Sequence, residues 1–155
     1  MKKNKFGYYP LLLACDKSNV EIVKLLFDYA NKNNIVLELN EKNNSGDNSI
    51  LCACNKNNIE IIKLIIDYTN KYNIVLELDE KDKYGYYPLL WACSNNNVEI
   101  AQLLIEYANK NNIVLELNEK KIMEIIHFYG LVITVMLKWF NYLLNMPIKI
   151  ILFWK

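Results

Sequence analysis

Three glycines, Gly7, Gly46 and Gly85, stand 39 residues apart, and most of what lies between them recurs in the same phase. Ala14, Ala53 and Ala92 keep that phase, as do Cys15, Cys54 and Cys93. Three units can be written in register: GYYPLLLACDKSNVEIVKLLFDYANKNNIVLELNEK, GDNSILCACNKNNIEIIKLIIDYTNKYNIVLELDEK and GYYPLLWACSNNNVEIAQLLIEYANKNNIVLELNEK. A unit of this size cannot bury its apolar face alone, so the core has to come from stacking. About three units is the practical minimum. A chain of 155 residues holds one such array and little else.

Each unit reads as two helices and an extended segment. Pro10 and Pro88 suit the first helical position, where no backbone donor is needed and φ is already helical. The run Leu11 to Cys15 is almost wholly apolar, which predicts a short first helix buried on most sides. Ser18, Asn57 and Asn96 fall where that helix must stop, and Asn tolerates the left-handed conformation of a C-terminal cap. Asn19, Asn58 and Asn97 can then cap the second helix, with Glu21, Glu60 and Glu99 in its positive first turn. In the first copy Val20, Ile22, Val23, Leu25, Leu26 and Tyr29 form a wide apolar face, opposite Glu21, Lys24 and Asp28. Ile35 to Leu39 is an extended piece leading to the next Gly.

The run Gly-Tyr-Tyr-Pro-Leu-Leu-Leu-Ala-Cys at 7–15, followed by Val-Glu-Ile-Val-Lys-Leu-Leu at 20–26, resembles the ankyrin repeat. The resemblance covers roughly residues 1–120 in three in-phase copies. It implies an all-α solenoid of stacked helix pairs with short extended fingers, in units of about 4–42, 43–81 and 82–120. The family's Thr is replaced by Tyr9, Ser49 and Tyr87 and its His by Leu12, Leu51 and Leu90, so hydrogen bonds between neighbouring units are expected to be lost. The usual unit has about 33 residues. The extra ones fall between Tyr29 and Leu37 and are expected to lengthen the second helix and its turn, away from the first helices. Met1 enters in phase with the end of a unit, which suggests a segment of a longer array.

Little chemistry is available. The formal net charge is +1 and all 18 basic residues are Lys, so there is neither a bulk basic field nor an Arg fork for phosphate or guanine. Nucleic acid is not an expected partner. Asn, Lys, Ile and Tyr supply almost half the chain, as an AT-biased coding sequence would give, so exposed residue types carry little functional weight. Equivalent helices in a stack lie about 10 Å apart, too far for Cys15, Cys54 and Cys93 to share a metal or a disulfide. They read as small packing residues. Cys52 adds a Cys-Ala-Cys without the spacing of a zinc site. The lone His127 has no Cys or Ser beside it, and carboxylate pairs such as Glu60 and Asp67 lie on a solvated helix face. The four Gly are too scattered for a phosphate loop. No catalysis, cofactor or metal is expected.

What remains is a binding surface. By resemblance, partners would meet the turn tip before each Gly, the residue after it and the exposed end of the first helix. Those positions are Phe6, Tyr8, Asp16 and Lys17 in the first unit, Asn44, Ser45, Asp47, Asn55 and Lys56 in the second, and Lys83, Tyr84, Tyr86, Ser94 and Asn95 in the third. Tyrosines there suit hot spots, since they offer large contact area at low entropy cost; codon bias and loop packing are the plainer explanation. Trp91 is expected to pack between helices. The partner is another protein, the chain a monomer, and the function that of a non-catalytic scaffold or adaptor.

The pattern ends after Lys120. A fourth unit would place Gly near 124, where Glu124 stands, and 121–155 form a divergent tail rich in Ile, Leu, Phe, Trp, Tyr and Met. Three readings stay open for it. A helical tail could cap an apolar flank of the third unit formed by Leu89, Ala92, Val98, Ala101 and Leu104. Residues 125–144 could anchor an adaptor in a membrane, with Lys138 interior at a cost of roughly 2.5–3.5 kcal/mol. The tail could also be a truncated or out-of-frame end. No apolar run follows Met1-Lys2-Lys3-Asn4-Lys5, and the Cys pattern is not a disulfide framework. A cytoplasmic location is expected, with membrane association through the tail as the alternative.

Overall fold

Local signals set the helix ends. The structure, a computed structural model describing residues 2–115, contains only helices as regular elements among those residues. The short first helices are α1 (Pro10–Asp16), α3 (Ser49–Asn55) and α5 (Pro88–Ser94); the longer second helices are α2 (Val20–Lys32), α4 (Ile59–Tyr72) and α6 (Val98–Lys110). Proline opens α1 and α5. The second unit lacks it and uses a side-chain cap instead, Asn48 Oδ1 accepting from the Leu51 N–H at 3.0 Å. Asn19, Asn58 and Asn97 cap α2, α4 and α6 in the same way, each at 3.0 Å. Between the helices of each pair, Ser18, Asn57 and Asn96 take φ of 52°, 56° and 53°, the left-handed stop expected there. The second helices run 13 or 14 residues and end on left-handed Asn34, Asn73 and Asn112.

Each helix packs on its partner and on its counterpart in the next unit: α1 on α3 on α5, and α2 on α4 on α6. Leu11, Leu12 and Ala14, with their equivalents Ile50, Leu51, Ala53, Leu89, Leu90 and Ala92, are buried and form the continuous centre of the core. Each buried Leu or Ile stabilises the fold by about 1.5–3 kcal/mol relative to exposure. Leu37 and Leu39 of the extended segment turn inward and Ile35 and Val36 outward.

One expectation needs correction. Hydrogen bonds between units are not lost. The buried Tyr9 hydroxyl lies 3.0 Å from Ser49 Oγ and donates to the Glu41 carbonyl at 3.2 Å, so two of the residues replacing Thr bond to each other across the first junction. The Tyr68 hydroxyl donates to the Ile35 carbonyl at 3.1 Å and accepts from the Leu37 N–H at 3.3 Å. Tyr107 does the same with Ile74 and Leu76, at 2.9 and 3.2 Å. On the apolar face of α2, Ile22, Leu25 and Tyr29 are exposed, whereas the counterparts of Ile22 and Tyr29 in α4 and α6 are buried. Leu89, Ala92, Ala101 and Leu104 are buried and Val98 is half-buried, like their counterparts Ile50, Ala53, Ile62, Ile65 and Ile59 in the second unit. No helix among the described residues is long and apolar enough to cross a membrane. The tail at 121–155, with His127, Lys138 and the 125–144 segment, lies outside the described residues.

Candidate functional site

The loops before α1, α3 and α5 are three copies of one tight turn. One side-chain oxygen organises each. Asn4 Oδ1 accepts from the N–H groups of Phe6 and Tyr8 at 2.9 and 3.0 Å. Asn43 Oδ1 accepts from Ser45 and Asp47 at 2.8 and 3.0 Å, and Asp82 Oδ1 from Tyr84 and Tyr86 at 2.8 and 2.9 Å. Such side-chain turns fix a loop without a strand ladder. Neighbouring fingers are also tied to each other. The Asn44 N–H donates to the Phe6 carbonyl at 3.1 Å, Asn44 Nδ2 to the Lys5 carbonyl at 3.1 Å, and the Lys83 N–H to the Ser45 carbonyl at 2.9 Å.

On this rail the outer fingers carry aromatic tips, with Phe6 57% and Tyr84 67% exposed. The ammonium groups of Lys5 and Lys83 each sit 4.9 Å from the neighbouring ring centroid, where the ring face attracts a cation. The residues after each Gly, Tyr8, Asp47 and Tyr86, are half-buried at the root of the fingers. Burial pushes the Tyr8 phenol up, and the charges of Asp16 and Asp47 add to it, so these three groups share one neighbourhood. The helix ends close the lower edge. Asp16 pairs with Lys17 at 3.3 Å and with Lys56 of the next unit at 3.4 Å, and Asn95 Nδ2 donates to the Cys54 carbonyl at 3.0 Å. Asn55 and Ser94 are half-buried beside Lys56 and Asn95.

Trp91 is partly buried against the helical core and also stacks on Tyr86, with centroids 4.4 Å apart and planes at 27°, joining the third finger to α5. The turn-forming Asn4, Asn43 and Asp82 escaped the sequence reading. Their signal was present, an Asx residue three positions before each phased Gly.

Burial raises the Asp47 carboxyl above the usual range, helped by Asp82 and Asp16 and opposed by the Asn43 hydrogen bond and Lys83. A carboxyl whose folded value is raised favours the folded state when protonated, so its contribution to stability declines as pH rises through that range. Asp47→Asn should therefore melt higher than the parent near neutral pH. The gap should close below about pH 4, where both side chains are neutral. A gap that persists in acid would contradict this, and scanning calorimetry against pH reads it directly.

The thiols offer no nucleophile at this surface. Burial pushes Cys15 up to about 12 and Cys93 to about 11, and raises Cys52 and Cys54 further. Among the described residues no group of three or more His, Cys, Asp or Glu side chains comes together to hold a metal ion.

A family model described as ankyrin repeats (three copies) matches the chain at residues 1–75 and again at 32–114. No curated protein sequence matches it.

Proposed function

The chain belongs to the ankyrin-repeat family, and from that premise we propose that it is a protein-interaction module without catalysis of its own. Repeats of this family are generally protein–protein interaction modules. In this proposal the three helix pairs form a short solenoid, possessing one rigid face made of the fingers and the C-terminal ends of α1, α3 and α5. The observation that carries it is the pair of aromatic tips, Phe6 and Tyr84, held in solvent on turns that are hydrogen-bonded internally and to each other. A preorganised aromatic loses little freedom on contact, which is where interface energy concentrates.

Capture from cell extract on the immobilised 155-residue chain, compared with a Phe6→Ala, Tyr84→Ala variant, tests the surface. Both side chains are exposed, so the double variant should keep its fold while losing about tenfold or more in affinity for a captured partner, the range of hot-spot truncations. Unchanged recovery of every partner removes the fingertips from the site. A membrane-held adaptor is the alternative; it rests on the apolar sequence at 125–144, and retention of the expressed protein in membranes after a carbonate wash would favour it.

A further inference from the structure

The finger face breaks the repeat at its centre. The residue after the phased Gly is Tyr8 in the first unit and Tyr86 in the third, but Asp47 in the second. Backbone bonds from Asn44 to Phe6 and from Lys83 to Ser45 hold the three turns side by side, so Asp47 stands between the two tyrosines. Five positions further on, Leu13 of α1 is exposed and Trp91 of α5 is stacked on Tyr86. One carboxylate is therefore set in a surface of aromatic and aliphatic carbon.

That carboxylate is not neutralised from within. Asp16, whose field reaches it, pairs with Lys17 and Lys56. Lys83, whose field also reaches it, holds its ammonium over the Tyr84 ring instead. Asp47 takes a side-chain hydrogen bond from Asn43 Nδ2 at 2.9 Å, and among the described residues no lysine forms an ion pair with it. It is half-buried before any partner arrives. Covering it with apolar atoms would strip more water from the charge and return nothing, and an acidic partner would add repulsion. A basic side chain meets both demands of the face. Its methylene stem covers carbon while its head reaches the carboxylate, and ring faces attract the same charge.

We infer that this face takes a segment of its protein partner in which one Lys or Arg is flanked by apolar residues, the basic head meeting Asp47 and the flanks covering Tyr8 and Trp91. The inference rests on the reading of this surface as an interaction site and adds the chemistry that the surface selects. Asp47→Asn separates recognition from folding, because it should melt higher than the parent near neutral pH and yet bind the partner less well.

The probe is a library of random dodecapeptides displayed on phage and panned on the immobilised 155-residue chain. Peptides whose recovery falls on the Phe6→Ala, Tyr84→Ala variant are the ones that use this face. They should be enriched in one Lys or Arg beside apolar residues, relative to the unselected library. By fluorescence anisotropy, synthetic copies should bind Asp47→Asn about tenfold more weakly than the parent, as expected when one partner of a partly buried charge pair is removed. Norleucine in place of the peptide's basic residue should weaken binding to the parent by a similar factor and leave binding to Asp47→Asn unchanged, the signature of a direct pair. Fingertip-dependent peptides without the basic residue, or with equal affinity for the parent and Asp47→Asn, would overturn this inference and leave the interaction reading standing. Recovery of no fingertip-dependent peptide would overturn both.

Discussion

Replacing Ile61 by Ala should lower the free energy of unfolding by about 2–4 kcal/mol, the range for a buried Ile that leaves a cavity. The same substitution at Ile22 should cost less than about 1 kcal/mol, as expected of a partly exposed side chain. The residue type and the position in the unit are identical, and only the neighbour differs. Ile61 is fully buried, next to the first unit, and Ile22 is 44% exposed. Ile100→Ala should behave like Ile61→Ala, since it is covered equally well. Urea unfolding of dilute protein reads all three. Equal losses at Ile22 and Ile61 would mean that burial between units is not what these positions contribute. Folded domains hold only about 5–15 kcal/mol in total, so the Ile61 loss is a large part of what keeps a three-unit array folded.

Gly7→Ala should cost on the order of 2–4 kcal/mol, against roughly 1–2 for Gly46→Ala, with both referred to the cost of a left-handed alanine. Both glycines have positive φ, 82° and 85°, so each substitution carries that cost. The difference is steric. A Cβ on Gly7 would stand 2.8 Å from Asn44 N and 2.9 Å from Asn43 Cα, backbone atoms that cannot swing aside. On Gly46 the nearest atom is the Lys81 carbonyl oxygen at 3.0 Å and the next Asp82 Cα at 3.4 Å. The first finger can escape its clash only by giving up the Asn44-to-Phe6 backbone bond. The amide of Asn44 should then exchange faster with solvent, alongside a lower melting temperature. A Gly7→Ala protein with unchanged melting and unchanged exchange at Asn44 would refute the close packing of the fingers.

The helix pairs were legible because their signals are local. Pro10, the capping Asn19 and the left-handed Ser18 each act within a few residues, and threefold repetition separated them from a composition in which Asn is everywhere. What stayed hidden depends on the neighbouring unit. Tyr9 reads as the loss of a threonine until Ser49, forty positions on, is seen within hydrogen-bond distance. The apolar stripe of α2 reads the same as that of α4, yet half of it lies open, since no sequence pattern within one unit says whether another stands before it. At the candidate surface the tips were identified from resemblance, but the tie between fingers, and the stack of Trp91 on Tyr86, arise only when separate turns are brought side by side.

The hand-over from the Ile35 and Leu37 backbone to Tyr68, repeated by Ile74 and Leu76 with Tyr107, has a consequence at the level of the gene. Most proteins cannot accept a stretch of their own coding sequence copied in place, because the duplicate meets surroundings that it does not fit. Here an in-frame duplication of the middle unit would insert a block whose front suits the unit before it and whose back suits the unit after it. Slippage or unequal exchange between such near-identical stretches would change the length of the array in whole units. The number of units is therefore open to inheritance and selection in single steps, with no compensating substitution needed at either seam.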